Sequence, residues 1–252
     1  MCSLTFLPKP GGYFVAMNRD ENLGREIALP PRVHTASART WIGPEERSSG
    51  GMWIATSDSG VTLALLNAHP GGAVSPSNMV LSSRGLLIPG LIGARDHSEL
   101  ASKLATLPLN VPPFRLVAIF PAERALWIHI WTGHGISAER AGWSMQQIFS
   151  SGLSDEAAAT TRVATTRALP RAEGEDEQQW VRRLHASHVP ERGAFSYCVH
   201  RADARTVSYT EIDIGEETIL MRYHNGSPCE LDASQFLGSA VELTKTLLAG
   251  RN

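Results

Sequence analysis

The turn Pro8-Lys9-Pro10-Gly11-Gly12 constrains this chain more than any other feature. Two prolines with restricted φ and two glycines open to positive φ separate residues 3–7 from residues 13–17, both dense in apolar side chains. Such a segment closes an antiparallel hairpin, and a hairpin fixes a register. With the turn centred near residues 9–11, paired residue numbers sum to roughly 19 to 22, so Cys2 falls opposite a residue between Met17 and Asp20. The chain there reads Asn18-Arg19-Asp20-Glu21. Spacing alone therefore sets a thiol beside an amide, a guanidinium and two carboxylates.

The rest of the first half continues in strands. Residues 52–56 and 61–66 flank Ser57-Asp58-Ser59-Gly60, a second hairpin signal. Residues 22–51, with Pro30, Pro31 and Gly43 and ending in Ser48-Ser49-Gly50-Gly51, read as irregular. The period then changes, predicting helices over 79–92 and 98–107, the second capped by Ser98. Strands are expected over 114–120 and 125–131, helices over 143–149 and 175–185, and a late hairpin from 195–200 and 206–212. A further strand is expected over 218–224. Asp232 and Gln235 form a capping box ahead of an apolar stripe from Phe236 to Leu248, predicting a C-terminal helix. No βαβ alternation is present, which disfavours a parallel sheet. Two antiparallel sheets with helices packed outside them fit the order, in one α+β domain over 1–252.

Composition narrows the function classes. A net charge of −2, with Arg182-Arg183 as the densest basic pair, gives no pull toward nucleic acid or anionic lipid. No apolar run approaches the roughly 18 residues that span a bilayer. The apolar start stops at Pro8, too short for a signal-peptide core. Cys2, Cys198 and Cys229 are odd in number and lack CxxC spacing, so neither a disulfide framework nor a Cys-based zinc site is expected. A reduced, cytoplasmic setting is expected, with no metal and no cofactor.

The group around Cys2 has a coherent chemistry. Removal of Met1 leaves a residue carrying both a thiol, titrating near pH ~8.5, and an α-amine, titrating near ~8. The amine can then act as base for its own side chain. Arg19 favours the thiolate, and Asp20 orients the ammonium. An oxyanion donor is also needed, and Asn67, at the end of the strand 61–66, is the candidate. On a regular strand Arg19 and Asp20 point to opposite faces, so both serve Cys2 only if the strand ends or bulges near Asn18.

Met1-Cys2, Asn18-Arg19-Asp20-Glu21, Gly50-Gly51-Met52-Trp53, Leu65-Leu66-Asn67 and Ser83-Arg84-Gly85 resemble the motifs of the NRDE family, which includes the transport and Golgi organisation 2 proteins. The resemblance covers the first 90 or so residues well, and Thr206-Val207-Ser208 extends it more loosely. It implies the four-layer αββα fold of the N-terminal-nucleophile hydrolases and kinship with cysteine acylases that cleave penicillin V or conjugated bile salts. On that resemblance Cys2, Arg19 and Asp20 match the acylase nucleophile, Arg and Asp, and Asn67 matches an oxyanion-hole position. A further acylase Asn falls in Phe149-Ser150-Ser151-Gly152, which has none, and a late Arg corresponds to Arg192 or Arg201. The resemblance also connects the chain with lipid homeostasis and haem trafficking.

Two functions follow. The first is a cysteine amidohydrolase cleaving a C–N amide of a small amphipathic substrate, with Cys2, Arg19, Asp20 and Asn67 catalytic and Asn18, Glu21 and Arg192 binding substrate. The second is a carrier of haem or lipid on the same fold. Plainer readings stand beside these. Cys2 can be a small strand residue, Arg19 and Asp20 a surface ion pair, Glu21 a loop cap and Asn67 a turn residue. His185 and His188 read as solvated, Cys198 and His200 as core packing, and the six Trp residues mostly as core. Oligomeric state is left open.

Overall fold

The computed structural model describes residues 2–36, 39–69 and 82–246. In chain order the strands of the first part are β1 (Cys2–Lys9), β2 (Gly12–Asn22), β3 (Leu29–Ala36), β4 (Arg39–Glu45), β5 (Ile54–Ser57) and β6 (Thr62–Asn67). A 3-10 turn at Arg84–Leu86 leads into helices α1 (Leu87–Leu91) and α2 (His97–Thr106). Then come β7 (Phe114–Phe120), β8 (Ala125–Trp131), β9 (Ile136–Ala141), β10 (Gln146–Ser150), α3 (Asp155–Ala168) and α4 (Glu177–His185). The chain continues through β11 (Ala204–Ile214), β12 (Thr218–His224), α5 (Ala233–Gly238) and β13 (Val241–Thr244).

The strands form two antiparallel sheets, ordered β10-β1-β2-β11-β12-β13 and β3-β4-β5-β6-β7-β8-β9. Alternation along β1 and β2 explains the layering. Cys2, Leu4 and Phe6, with Tyr13, Val15 and Met17, join the core between the sheets, against Ile54, Leu66 and Val117 of the second sheet. Leu7, Phe14 and Ala16 face the other way, onto Val181 of α4 and Phe236 of α5. On the far side α1 and α2 bury Leu87, Ile88, Leu91, Leu100 and Leu104 against the second sheet. Each such side chain contributes roughly 1.5–3 kcal/mol when fully buried. The result is a helix–sheet–sheet–helix stack, the αββα arrangement.

The first hairpin has the expected form. Cys2 pairs with Arg19 and Lys9 with Gly12. Gly11 has a φ of 72°, a conformation that glycine alone adopts freely. A Cβ on Gly12 would collide with the Ile214 carbonyl, so the second glycine is required by the neighbouring strand. The strands over 114–120, 125–131 and 218–224 also form as the pattern predicts.

Several expectations are corrected. Residues 146–150 are a strand rather than a helix, because they pair with Cys2 through Phe6 along the free edge of β1. Residues 22–51 hold the pair β3 and β4 despite their prolines, at the sheet edge where a missing N–H is tolerated. Residues 195–200 do not pair as a hairpin strand; His200 makes a single bridge to Arg205, and β11 instead lies between β2 and β12. Asp96, not Ser98, caps α2, accepting from the Glu99 backbone at 2.8 Å. The C-terminal helix starts from its Asp232 cap but ends at Gly238, and Val241–Thr244 pair with β12. Leu247 and Leu248 lie outside the described residues, as do residues 79–81 of the expected helix over 79–92, whose described part is the 3-10 turn and α1. Helix α3 and strand β9 were not expected.

Candidate active site

Cys2 begins β1 between two partners, Arg19 of β2 and Ser150 of β10. It is buried, 5% exposed, and lies in a cavity of about 300 Å³ at the end of the inter-sheet core. Arg19, Asp20, Glu21 and Asn67 line the same cavity, so five of the residues singled out by the sequence converge on one space. Burial pushes the Cys2 thiol up from its ordinary value, and the Asp20 carboxylate adds to this; the Arg19 charge and the Asp20 backbone N–H act the other way. At neutral pH the thiol is therefore protonated and needs a base to become a nucleophile.

Arg19 sits on a built shelf. Its guanidinium donates to Glu46 Oε1 at 2.7 Å and reaches Glu21 Oε2 at 3.5 Å. Its Cζ stacks 4.3 Å from the centre of the Trp53 ring. Arg25 donates to the same Glu46 oxygen at 2.7 Å. Burial works against ionisation of Glu46, yet the hydrogen bonds from Arg25 and Ser49 and the Arg19 charge outweigh it and hold the carboxyl below its usual range.

Asp20 faces the other side of β2. Its Oδ1 accepts from Thr206 Oγ1 at 2.6 Å, and its Oδ2 lies 3.7 Å from Arg162 Nη2. β2 therefore keeps its alternation through Asn18, Arg19 and Asp20 and has no bulge of the kind expected there. Arg19 shares the face of the Cys2 side chain, whereas Asp20, on the opposite face, is tied through Arg162 to the Cys2 main chain. The slip in register lies on the neighbouring strand β11, between Thr206 and Ser208. That slip lets Thr206 pair with Asp20 while Ser208 pairs with Arg19.

Arg162, from α3, is the residue sequence reasoning missed. It is fully buried and donates to three backbone carbonyls: Ser196 at 3.1 Å, Cys2 at 3.4 Å and Ser150 at 3.5 Å. It thus ties the backbone of Cys2 to the Asp20 carboxylate. One of two arginines in an Ala- and Thr-rich helix, it carries no local mark; only its place on the helix face against β10 reveals it.

The rim is formed by two glycine motifs packed together. The Met52 N–H donates to the Gly85 carbonyl at 2.9 Å, and a Cβ on Gly85 would lie 2.9 Å from Gly51 Cα and from Met52 N. This contact sets Trp53 and Arg84 on the cavity wall. Arg84 donates to the Pro113 carbonyl at 2.9 Å, and its own pKa is lowered, chiefly by burial.

Three expected positions lie elsewhere. The Asn18 amide points to the helix side, donating to the carbonyls of His185 at 2.9 Å and Tyr197 at 2.8 Å, because alternation puts it opposite Arg19's face. It anchors α4 and does not line the cavity. Arg192 is exposed and contacts His200, and Arg201 pairs with Asp203, so neither stands at the cavity. In the segment 149–152, Ser150 stands directly beside Cys2, and its Oγ is buried without a hydrogen-bond partner among the described residues.

The fold has solved counterparts. An N-acylethanolamine-hydrolysing acid amidase orthologue from Caenorhabditis elegans superposes with a TM-score of 0.54 at 13% identity, covering 96% of this chain and 100% of that one. The C2A mutant of conjugated bile acid hydrolase from Clostridium perfringens gives 0.53 at 8% identity, covering 98% and 97%. At these identities the likeness establishes the N-terminal-nucleophile hydrolase fold and nothing finer. No curated protein matches by sequence. The Transport and Golgi organisation 2 family model matches residues 1–160, well over half of the 252 residues, and the chain belongs to that family.

Proposed function

We propose that this protein is an N-terminal cysteine amidohydrolase that cleaves a C–N amide bond of a small amphipathic substrate. The observation that carries the reading is the position of Cys2, paired with Arg19 at the floor of a cavity that Asp20 and Asn67 also line. Removal of Met1 frees the Cys2 α-amine, which takes the Sγ proton as the sulfur attacks the amide carbonyl carbon. The Asn67 amide donates to the oxyanion that forms. The proton then passes to the departing nitrogen as the C–N bond breaks, leaving a thioester on Cys2. Water, deprotonated by the same amine, attacks the thioester, and the acid leaves as thiol and amine are restored. Arg19 stabilises the thiolate, and Asp20, held by Thr206 and Arg162, orients the α-ammonium.

The lining supports an amphipathic substrate. Trp53, Met52 and Leu65 offer an apolar wall, while Glu21, Arg25 and Arg84 offer charged partners for a polar end. A non-catalytic carrier of haem or lipid is the second reading, favoured by the absence of an amide donor from residues 149–152. A panel of N-acyl amides, run with a Cys2→Ala control, separates the two. Turnover that disappears in Cys2→Ala supports the hydrolase. Stoichiometric binding of haem or lipid with no turnover of any amide, in protein lacking Met1, rejects it.

A further inference from the structure

Away from the Cys2 cavity, four side chains from three segments meet at one point. His188 follows α4, Cys198 and His200 precede β11, and Cys229 lies in the 3-10 turn Pro228–Glu230. One donor atom from each lies within 4.8 Å of the other three. Cys198 Sγ is 3.4 Å and Cys229 Sγ 3.5 Å from His200 Nε2. Around a tetrahedral zinc ion, with Zn–S near 2.3 Å and Zn–N near 2.0–2.1 Å, adjacent sulfur and nitrogen ligands sit about 3.5 Å apart. Two edges of that tetrahedron are thus already at length. His188 adds an independent sign, since its Nε2 is buried with no hydrogen-bond partner among the described residues. Its ring stands edge-on to that of His200, with centroids 5.0 Å apart.

We propose that His188, Cys198, His200 and Cys229 form a closed structural zinc site. Two thiolates and two imidazoles are the donor set that selects Zn²⁺ in tetrahedral geometry, and four protein ligands leave no open position for substrate. Binding releases the two thiol protons, so the cation and the two thiolates make a neutral unit with neutral imidazoles. With Nε2 of His200 on the metal, Nδ1 carries the ring hydrogen. Arg192, whose Nη2 lies 3.2 Å from that nitrogen and whose side chain is exposed, then turns out to solvent.

The site has a definite place in the fold. Residues 193–200 have no regular ladder to hold them, yet they deliver the Ser196 carbonyl to Arg162 and the Val199 N–H to Thr206 Oγ1. Thr206 in turn donates to Asp20. None of the four ligands lines the Cys2 cavity. The metal is a clamp on the segment that supports Asp20 and takes no part at Cys2.

The test uses the full chain, kept reduced and stripped with a chelator, then titrated with Co²⁺ and back-titrated with Zn²⁺. The expected result is one metal per chain, with the visible absorption of tetrahedral thiolate-bound Co²⁺, in both the unmodified protein and Cys2→Ala. Cys229→Ser, at an exposed position, and His188→Gln should each weaken binding by more than the roughly 10- to 100-fold typical of losing an outer-shell partner. Absence of tetrahedral Co²⁺ absorption overturns the proposal. So does metal binding that neither substitution weakens, or a Cys198–Cys229 disulfide that persists in reductant.

Discussion

Arg162 and Asp20 form an ion pair, Nη2 to Oδ2 at 3.7 Å, in which neither side chain is exposed to solvent. Burial raises the Asp20 carboxyl while the Arg162 charge lowers it. The pair is kept by its surroundings: Thr206 on the carboxylate, three backbone carbonyls on the guanidinium. Removing one partner strands the other. Arg162→Met should lower stability by about 3–5 kcal/mol in urea denaturation, as for other broken buried pairs. A loss below 1 kcal/mol would show that the pair is not an anchor.

His185 predicts a pH dependence. It is fully buried, its Nδ1 donating to Asn18 Oδ1 at 3.0 Å and its Nε2 accepting from Thr5 Oγ1 at 2.9 Å. Burial, helped by the Arg162 charge, lowers its pKa from 6.5 to about 3. The folded state thus holds the ring neutral, whereas the unfolded chain takes up a proton below its ordinary pKa. This contribution to stability is present in full above pH 6.5 and is lost as pH falls toward 3, with a slope up to about 1.4 kcal/mol per pH unit. Urea midpoints measured across that window should fall more gently in His185→Gln than in the unmodified protein.

Gly85→Ala tests the rim. The added Cβ meets backbone at Gly51 and Met52, which cannot swing aside as a side chain could. The expected cost is about 1–3 kcal/mol of stability. Because Trp53 and Arg84 follow the displaced backbone, KM for any accepted amide should rise more than kcat falls. An unchanged KM would separate this contact from the cavity.

Asn67→Ala should leave folding intact, since the residue ends β6 and is only part-buried. As the oxyanion donor its loss should lower kcat about 10²- to 10³-fold with little change in KM. Equal kcat values would assign the oxyanion to another group, and Ser150 Oγ, which stands beside Cys2 with no hydrogen-bond partner among the described residues, is the one to examine next.

Local chemistry made the first hairpin readable. The turn at residues 8–12 narrows its own register, so counting placed Cys2 opposite a residue between Met17 and Asp20, and the structure makes that residue Arg19. The strands β7, β8 and β12 were equally visible, because their apolar runs are bounded by clear breaks. What escaped depends on distant partners. Residues 146–150 become a strand only because β1 offers them an open edge. Val241 and Leu243 pack against the inter-sheet core, a choice that a helical stripe and a short strand encode alike. Arg162 meets Cys2 across 160 residues. The convergence of His188 with Cys229 likewise has no spacing to announce it.

The most direct measurement is the intact mass of the protein quenched in acid during turnover of an N-acyl amide. The mechanism predicts a chain that begins at Cys2 and carries one acyl group on that residue, with no adduct in Cys2→Ala. Amide cleavage by a chain that retains Met1, or turnover that survives in Cys2→Ala, would contradict it.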